Sequence, residues 1–203
     1  FCFFFPLCLG FLLFFGALRK RFEKFFAFAQ MLKPARIVEV GTWNGGTAER
    51  LLIYTKAEYW GFDLWEDMTA EKDVDEFNVK RHVSKPEVEQ RLGCFNGLNG
   101  RVHLVQGDTR ETLRKYAPDE INLAFIDGGH SVETIASDWG NLCGKMAKGG
   151  WMVFDDYYDG KTEEFLNRWG ANFLYRSLVP RAELWDDLDF VVGGGTVRMF
   201  AVQ

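Results

Sequence analysis

The chain has 203 residues, with 24 Lys and Arg against 29 Asp and Glu and a formal net charge of -5. That length suits one α/β domain with a sizeable core. The acidic balance excludes non-specific affinity for nucleic acid, which needs a basic surface to neutralise phosphates.

The first 18 residues stand apart from the rest. Phe1 to Ala17 carries no charged side chain, is dense in Phe and Leu, and is followed by Arg19-Lys20-Arg21. The chain begins without Met, as expected of a fragment or a trimmed chain. Three readings stay open: a truncated membrane anchor, a signal-like apolar region, or an apolar helix packed on a partner. The run sits near the lower edge of the ~17–25 residues that span a bilayer, and Pro6 and Gly10 interrupt it. A signal peptide would carry its basic residues before the apolar run, not after it. If the segment spans, the basic cluster puts the domain on the cytoplasmic side. Four cysteines (Cys2, Cys8, Cys94, Cys143) show neither metal nor redox spacing, so free thiols in a reducing, cytoplasmic compartment are expected. The composition is compatible with an oligomer as well as with a monomer.

Residues 19–203 read as the folded domain. Phe22, Phe25, Phe26 and Ala29 recur at helical spacing, and Pro34 ends that helix. Ile37 to Val40 is the first strand, followed by the loop Gly41-Thr42-Trp43-Asn44-Gly45 and a helix containing Leu51, Leu52 and Tyr54. Tyr59 to Phe62 is a second strand ending in Asp63. Asp67 to Asn99 is polar and long, with a helical piece near Pro86 to Leu92, and reads as an insertion or lid. Val102 to Val105 is a third strand, after which Asp108 or Thr109 is placed to cap a helix. Ile121 to Ile126 is a fourth, almost wholly apolar, as expected when helices cover both faces.

Val132, Ile135, Ala136, Trp139 and Leu142 form a helical stripe assigned to core packing, and Gly149-Gly150 is expected to break that helix. Trp151 to Phe154 is a fifth strand ending in Asp155-Asp156. A helix near Thr162 to Trp169 precedes two late strands, Phe190–Val192 and Val197–Val202, joined as a hairpin by Gly193-Gly194-Gly195. Strands alternating with helices imply a doubly wound, mostly parallel sheet with helices on both faces, seven strands in all once the antiparallel hairpin is counted. Ligands then collect at the carboxyl ends of the strands. Acids gather there: Glu39, Asp63, Asp108, Asp127 and Asp155.

The glycine loop carries the chemical argument. Glycines let the backbone approach a ligand closely and expose N–H donors. Gly41-x-x-x-Gly45 is neither the dinucleotide spacing nor the phosphate-loop spacing, and Glu39 beside it would repel a pyrophosphate. A carboxylate there suits an amino or hydroxyl group, hence a ligand without phosphates such as S-adenosylmethionine. Each acid also has a plainer reading. Glu39 could cap the helix or pair with Arg50, Asp63 could be a solvated strand end, and Asp108 only an N-cap. Asp155-Asp156 could be a surface turn, and His130 a loop histidine bonded to backbone.

Taken together the motifs resemble the class I S-adenosylmethionine-dependent methyltransferases, over about residues 22 to 203. In that family Glu39-x-Gly41-x-x-x-Gly45 corresponds to the motif that cradles the methionine part of the cofactor, with Thr42 and Trp43 inside it. Asp63, followed by Leu64, corresponds to the ribose-binding acid, and Asp108-Thr109 to the adenine contact. Ile126-Asp127-Gly128-Gly129-His130 and Val153-Phe154-Asp155-Asp156-Tyr157 are similar to small-molecule O-methyltransferases of the catechol and macrocin types. The Asp-Gly-x-His run also resembles a further methyltransferase family. The resemblance implies methyl transfer to a small-molecule hydroxyl, with Asp127, Asp155 and Asp156 holding magnesium or another divalent cation. His130 stands where catechol-type enzymes place a lysine base, and imidazole as a residue type titrates near neutral pH; Asp127 shares the catalytic and cofactor-binding assignments. Two other classes stay in view: a cofactor-binding, non-catalytic or membrane-tethered interaction domain, and, more weakly, a nicotinamide-linked dehydrogenase.

Overall fold

Central strands rich in β-branched and aromatic residues and buried on both faces dictate a sheet sandwiched between helices. The computed structural model of the chain describes residues 20–78, 80–96, 100–190 and 195–203, without the side chains of Asn96 and Phe190. The apolar start, and with it the membrane reading, lies outside the described residues. Among the described residues no helix is long and apolar enough to cross a membrane.

The strands are β1 (Arg36–Val40), β2 (Glu58–Asp63), β3 (Val102–Gln106), β4 (Ile121–Ile126), β5 (Met146–Asp159), β6 (Ala182–Phe190) and β7 (Thr196–Val202). They form one sheet in the order β3-β2-β1-β4-β5-β7-β6. The first five are parallel, and β7 runs antiparallel to both β5 and β6. The expected sheet is therefore the observed one, with the chain reversing direction across it between β1 and β4. That switch point opens a crevice at the carboxyl ends of the strands.

The helices are α1 (Lys20–Leu32), α2 (Gly46–Tyr54), α3 (Ala70–Asp75), α4 (Lys85–Asn96), α5 (Thr109–Tyr116), α6 (Val132–Leu142), α7 (Glu163–Leu166) and α8 (Asn172–Leu178). Alternate strand residues feed two separate cores. On one face Ile37, Tyr59, Leu123, Phe125 and Val153 meet Phe25 and Phe26 of α1, Leu51 of α2 and Leu92 of α4. On the other, Val38, Phe62, Ala124, Ile126 and Phe154 meet Leu113 of α5, Ile135 of α6 and Leu174 of α8.

Four local expectations are corrected. α6 ends at Leu142, and Gly149-Gly150 lies inside β5, where the pairing with β4 shifts register between Ile121 and Leu123. A Cβ on Gly150 would sit 2.6 Å from the Ile121 carbonyl oxygen, so the glycine permits the bulge rather than ending a helix. On α6, Ala136 faces solvent and Asp138 faces the core, because the inward stripe is Thr134, Ile135, Asp138 and Leu142, with Trp139 packed at its edge. The expected 162–169 helix is a single turn capped by Thr162, and α8 follows it. β6 begins at Ala182, well before the expected Phe190, while Val191 to Gly194 lie outside the described residues. Its acids hid it: Asp187 and Asp189 pair with Lys24 and Arg21 of α1 instead of facing water alone.

Candidate active site

The loop between β1 and α2 turns sharply through three left-handed residues, Gly41 (φ 87), Trp43 (φ 47) and Gly45 (φ 74). Gly41 is required: a Cβ there would stand 2.1 Å from the Asp127 carbonyl oxygen, because the β1 and β4 loops touch. Trp43 holds its strained backbone through two partners. Its N–H donates to Asp63 Oδ2 at 2.7 Å, and its carbonyl accepts from the Trp65 indole at 2.9 Å.

Beneath the loop lies a buried polar knot. Glu39, 1 % exposed, accepts from the Tyr59 hydroxyl, and Thr42 Oγ1 lies 3.3 Å from that same hydroxyl. Burial pushes the Glu39 carboxyl up to about 8; the Tyr59 bond opposes this, and the charges of Asp127 and Asp63 add to it. Glu39 neither caps α2 nor pairs with Arg50, whose guanidinium lies over the Phe26 ring. Gly45 is the N-cap of α2 and packs against Val88 of α4.

One cleft of about 920 Å³, its open mouth included, runs across the carboxyl ends of β1 to β4. Of the residues expected in a cofactor site it is lined by Gly41, Trp43, Asp63, Leu64, Asp108, Thr109 and Asp127. Glu39, Thr42 and Gly45 support the loop and do not line it. Asp63 accepts from the backbone N–H groups of Trp43 and Trp65, one per oxygen, which leaves each oxygen a further acceptor site. Burial raises its pKa, against those two bonds. Asp108 is the N-cap of α5 and also accepts from the Arg110 guanidinium, whose bond holds its carboxyl below the usual range.

The wall opposite comes from residues 68–83. Met68, Lys72, Glu76, Asn78, Lys80, Arg81, His82 and Val83 all line the cleft. The segment is fastened by polar contacts: Glu76 accepts from Ser131 N–H and from the Thr134 hydroxyl at the start of α6, and the Trp43 indole donates to the Arg81 carbonyl. α3 buries none of its residues, so this wall is held by these bonds together with the packing of Phe77 on Phe165 and Trp169 and of Val83 on the core.

A family model described as a methyltransferase domain matches residues 38–157, more than half of the chain. The chain belongs to this methyltransferase-domain family. It is 27% identical over 127 residues to uncharacterized protein R132 of Acanthamoeba polyphaga mimivirus, covering 60% of this chain and 51% of that protein. The chain thus spans about half the length of the curated relative it matches. Among solved structures it resembles the O-methyltransferase TomG from Streptomyces achromogenes, determined with SAM, at TM-score 0.61 and 16% identity over 89% of this chain and 78% of that one. It also resembles the O-methyltransferase NovP at TM-score 0.62 and 21% identity, over 88% and 78%. At those identities the likeness establishes the fold.

In this methyltransferase the acids expected to hold a cation do not come together as a trio. Successive residues of β5 point to opposite faces, and the bulge at Asp156 (φ 63) re-aims the second. Asp155 turns toward α1, where Arg21 Nε and Nη2 take its two oxygens at 2.7 and 2.8 Å. Asp156 turns the other way: Oδ1 accepts from the Tyr158 hydroxyl at 2.9 Å, and Oδ2 lies 3.3 Å from His130 Nε2. Asp127, His130 and Asp156 bring one ligand atom each within 4.8 Å of one another. Yet Asp127 Oδ1 already has Lys80 Nζ at 3.3 Å. Burial pushes the Asp127 carboxyl up to about 6, while Lys80 opposes the rise and Asp155 and Asp156 add to it. For Lys80, burial works against the charge, but Asp127, Asp156 and Asp155 outweigh it and raise the pKa. Two carboxylates already neutralised by a guanidinium and an ammonium do not fit a hard divalent cation.

His130, expected as the base, is 8 % exposed and does not line the cleft. Its Nδ1 lies 3.3 Å from the Phe77 carbonyl, so the ring bridges Asp156 to the 68–83 wall. Lys80 and Arg21 are the charged partners of these acids that the sequence reading did not place. Lys80-Arg81-His82 is a basic cluster inside a polar insertion, a pattern that usually marks a solvated face.

Proposed function

We propose that this domain transfers the methyl group of S-adenosylmethionine to a hydroxyl oxygen of a small-molecule acceptor. The observation that carries the reading is the meeting of Gly41, Trp43, Asp63, Leu64, Asp108, Thr109 and Asp127 on a single cleft at the switch point of the sheet. In this reading Asp63 accepts from the ribose hydroxyls, the side chains of Asp108 and Thr109 border the adenine, and the Gly41 loop cradles the methionine part. The carboxylate of Asp127 faces the acceptor and replaces His130 as the base, since it lines the cleft and the imidazole does not. The acceptor's O–H proton passes to Asp127 while an oxygen lone pair forms the new O–CH3 bond. The S–CH3 bond breaks with its electron pair kept on sulfur, and S-adenosylhomocysteine is released. His130 serves as a positioning residue that fixes Asp156 and the Phe77 carbonyl.

The test is release of S-adenosylhomocysteine from labelled S-adenosylmethionine across a panel of small hydroxylated acceptors. Turnover with at least one acceptor, reduced about 10²-fold or more by Asp127→Asn, supports the reading. Cofactor binding without turnover on any acceptor would favour the non-catalytic interaction domain, and Asp127→Asn turning over normally would remove the base.

A further inference from the structure

The strand-end acids of this site are answered by side chains of the chain itself. Asp155, with its side chain 2 % exposed, is clamped by Arg21, whose own side chain is 3 % exposed. Arg21 comes from α1, outside the matched methyltransferase segment. Lys80 comes from the 68–83 wall and stands 3.3 Å from Asp127 and 5.8 Å from the centre of the Trp43 ring. Its ammonium therefore lies between the cofactor loop and the end of β4, where donor methyl and acceptor oxygen must meet. Two positive charges delivered by different segments thus reach two of the three strand-end carboxylates.

We infer that Lys80, with Arg21 neutralising Asp155, takes the place of a divalent cation in this methyltransferase, so that the ammonium of Lys80 faces the acceptor oxygen. The chemistry is complete without a metal. An ammonium with three N–H donors can hold the acceptor hydroxyl and the Asp127 carboxylate together. It also offsets negative charge growing on the oxygen as its proton leaves, a charge that a low-dielectric cleft makes costly to leave unpaired. Nothing is oxidised or reduced, and Lys80 keeps its protons throughout. Arg21 does not line the cleft, and its part is to remove Asp155 from the set of ligands.

The catalytic half of this inference rests on the methyl-transfer reading; the exclusion of a cation does not, so the experiment measures ion uptake. Mn²⁺ is titrated into the full chain and into Lys80→Gln and Lys80→Gln/Asp127→Asn, with free Mn²⁺ followed by electron paramagnetic resonance. The wild type is expected to leave Mn²⁺ free. Lys80→Gln should gain one site with affinity raised about tenfold or more, since a positive charge has been removed 3.3 Å from a ligand oxygen, and the double variant should lose that site. Tight one-to-one uptake by the wild type would overturn the inference. Equal failure of wild type and Lys80→Gln to bind would show that the ammonium keeps no cation out. S-adenosylhomocysteine binding by calorimetry, run on the same samples, separates the outcomes. Wild-type protein that binds no S-adenosylhomocysteine contradicts the methyltransferase reading, whatever the Mn²⁺ result.

Discussion

Arg21→Met probes the charge balance behind the site. The guanidinium makes two bonds to Asp155, at 2.7 and 2.8 Å, and one to Asp189 at 2.6 Å. Both partners of the Asp155 pair are buried, so truncating one leaves a carboxylate without water or counterion, a loss of about 3–5 kcal/mol. Asp189 adds little, because its side chain is 18% exposed and water can replace the lost partner. For a domain of this size each kcal/mol moves the thermal midpoint by about 2–4 °C, so a fall of about 6–20 °C is expected. Adding Asp155→Asn removes the stranded charge and should restore about 1–3 kcal/mol, a coupling visible in a double-mutant cycle. Urea unfolding followed by tryptophan fluorescence reads it, and the chain's 7 tryptophans make the signal strong. A loss below about 1 kcal/mol for Arg21→Met, or a double variant no more stable than the single, would refute the role assigned to this pair.

Asp138, 0% exposed on α6, makes no hydrogen bond of normal geometry, although the Thr109 hydroxyl lies near enough to moderate its state. Burial pushes its carboxyl up to about 7 from an ordinary 3.8, so the folded chain binds the extra proton between those values. Stability should therefore fall as pH rises through that window, by at most about 4 kcal/mol, and Asp138→Asn should flatten the fall. Urea midpoints of both proteins at about pH 5 and about pH 8 check this; parallel changes in the two would contradict it. Gly41→Ala forces a Cβ to 2.1 Å from the Asp127 carbonyl at a left-handed φ of 87 and should destabilise by about 2–5 kcal/mol. A denaturation midpoint close to wild type would mean the two loops do not touch as described. His130→Ala should weaken turnover less than Asp127→Asn does while leaving S-adenosylhomocysteine affinity intact. The reverse order in steady-state kinetics would return the base to the imidazole.

Much of this was legible in the chain, and the reasons differ from place to place. Ile37–Val40 and Ile121–Ile126 are apolar runs bounded by turn chemistry, so their period and their place in the sheet could be read directly. The cleft followed from topology, since acids at the ends of parallel strands must share a rim. What a sequence does not print is the direction of a side chain at a bulge. Asp155 and Asp156 are adjacent letters, yet one faces Arg21 and the other His130. Long-range partners were equally hidden: Lys80 reaches Asp127 from 47 positions away and Arg21 reaches Asp155 from 134. β6 escaped because its acidic residues mask the strand pattern until α1 supplies the opposite charges.

In the proposed function the cleft at the ends of β1 to β4 holds S-adenosylmethionine through Asp63. Calorimetric titration of S-adenosylhomocysteine into wild type and Asp63→Ala tests it. One site per chain is expected, weakened by about 1–3 kcal/mol in the variant through loss of hydrogen bonds to a charged group. Absence of binding to the wild type, or an affinity unchanged by Asp63→Ala, would contradict it.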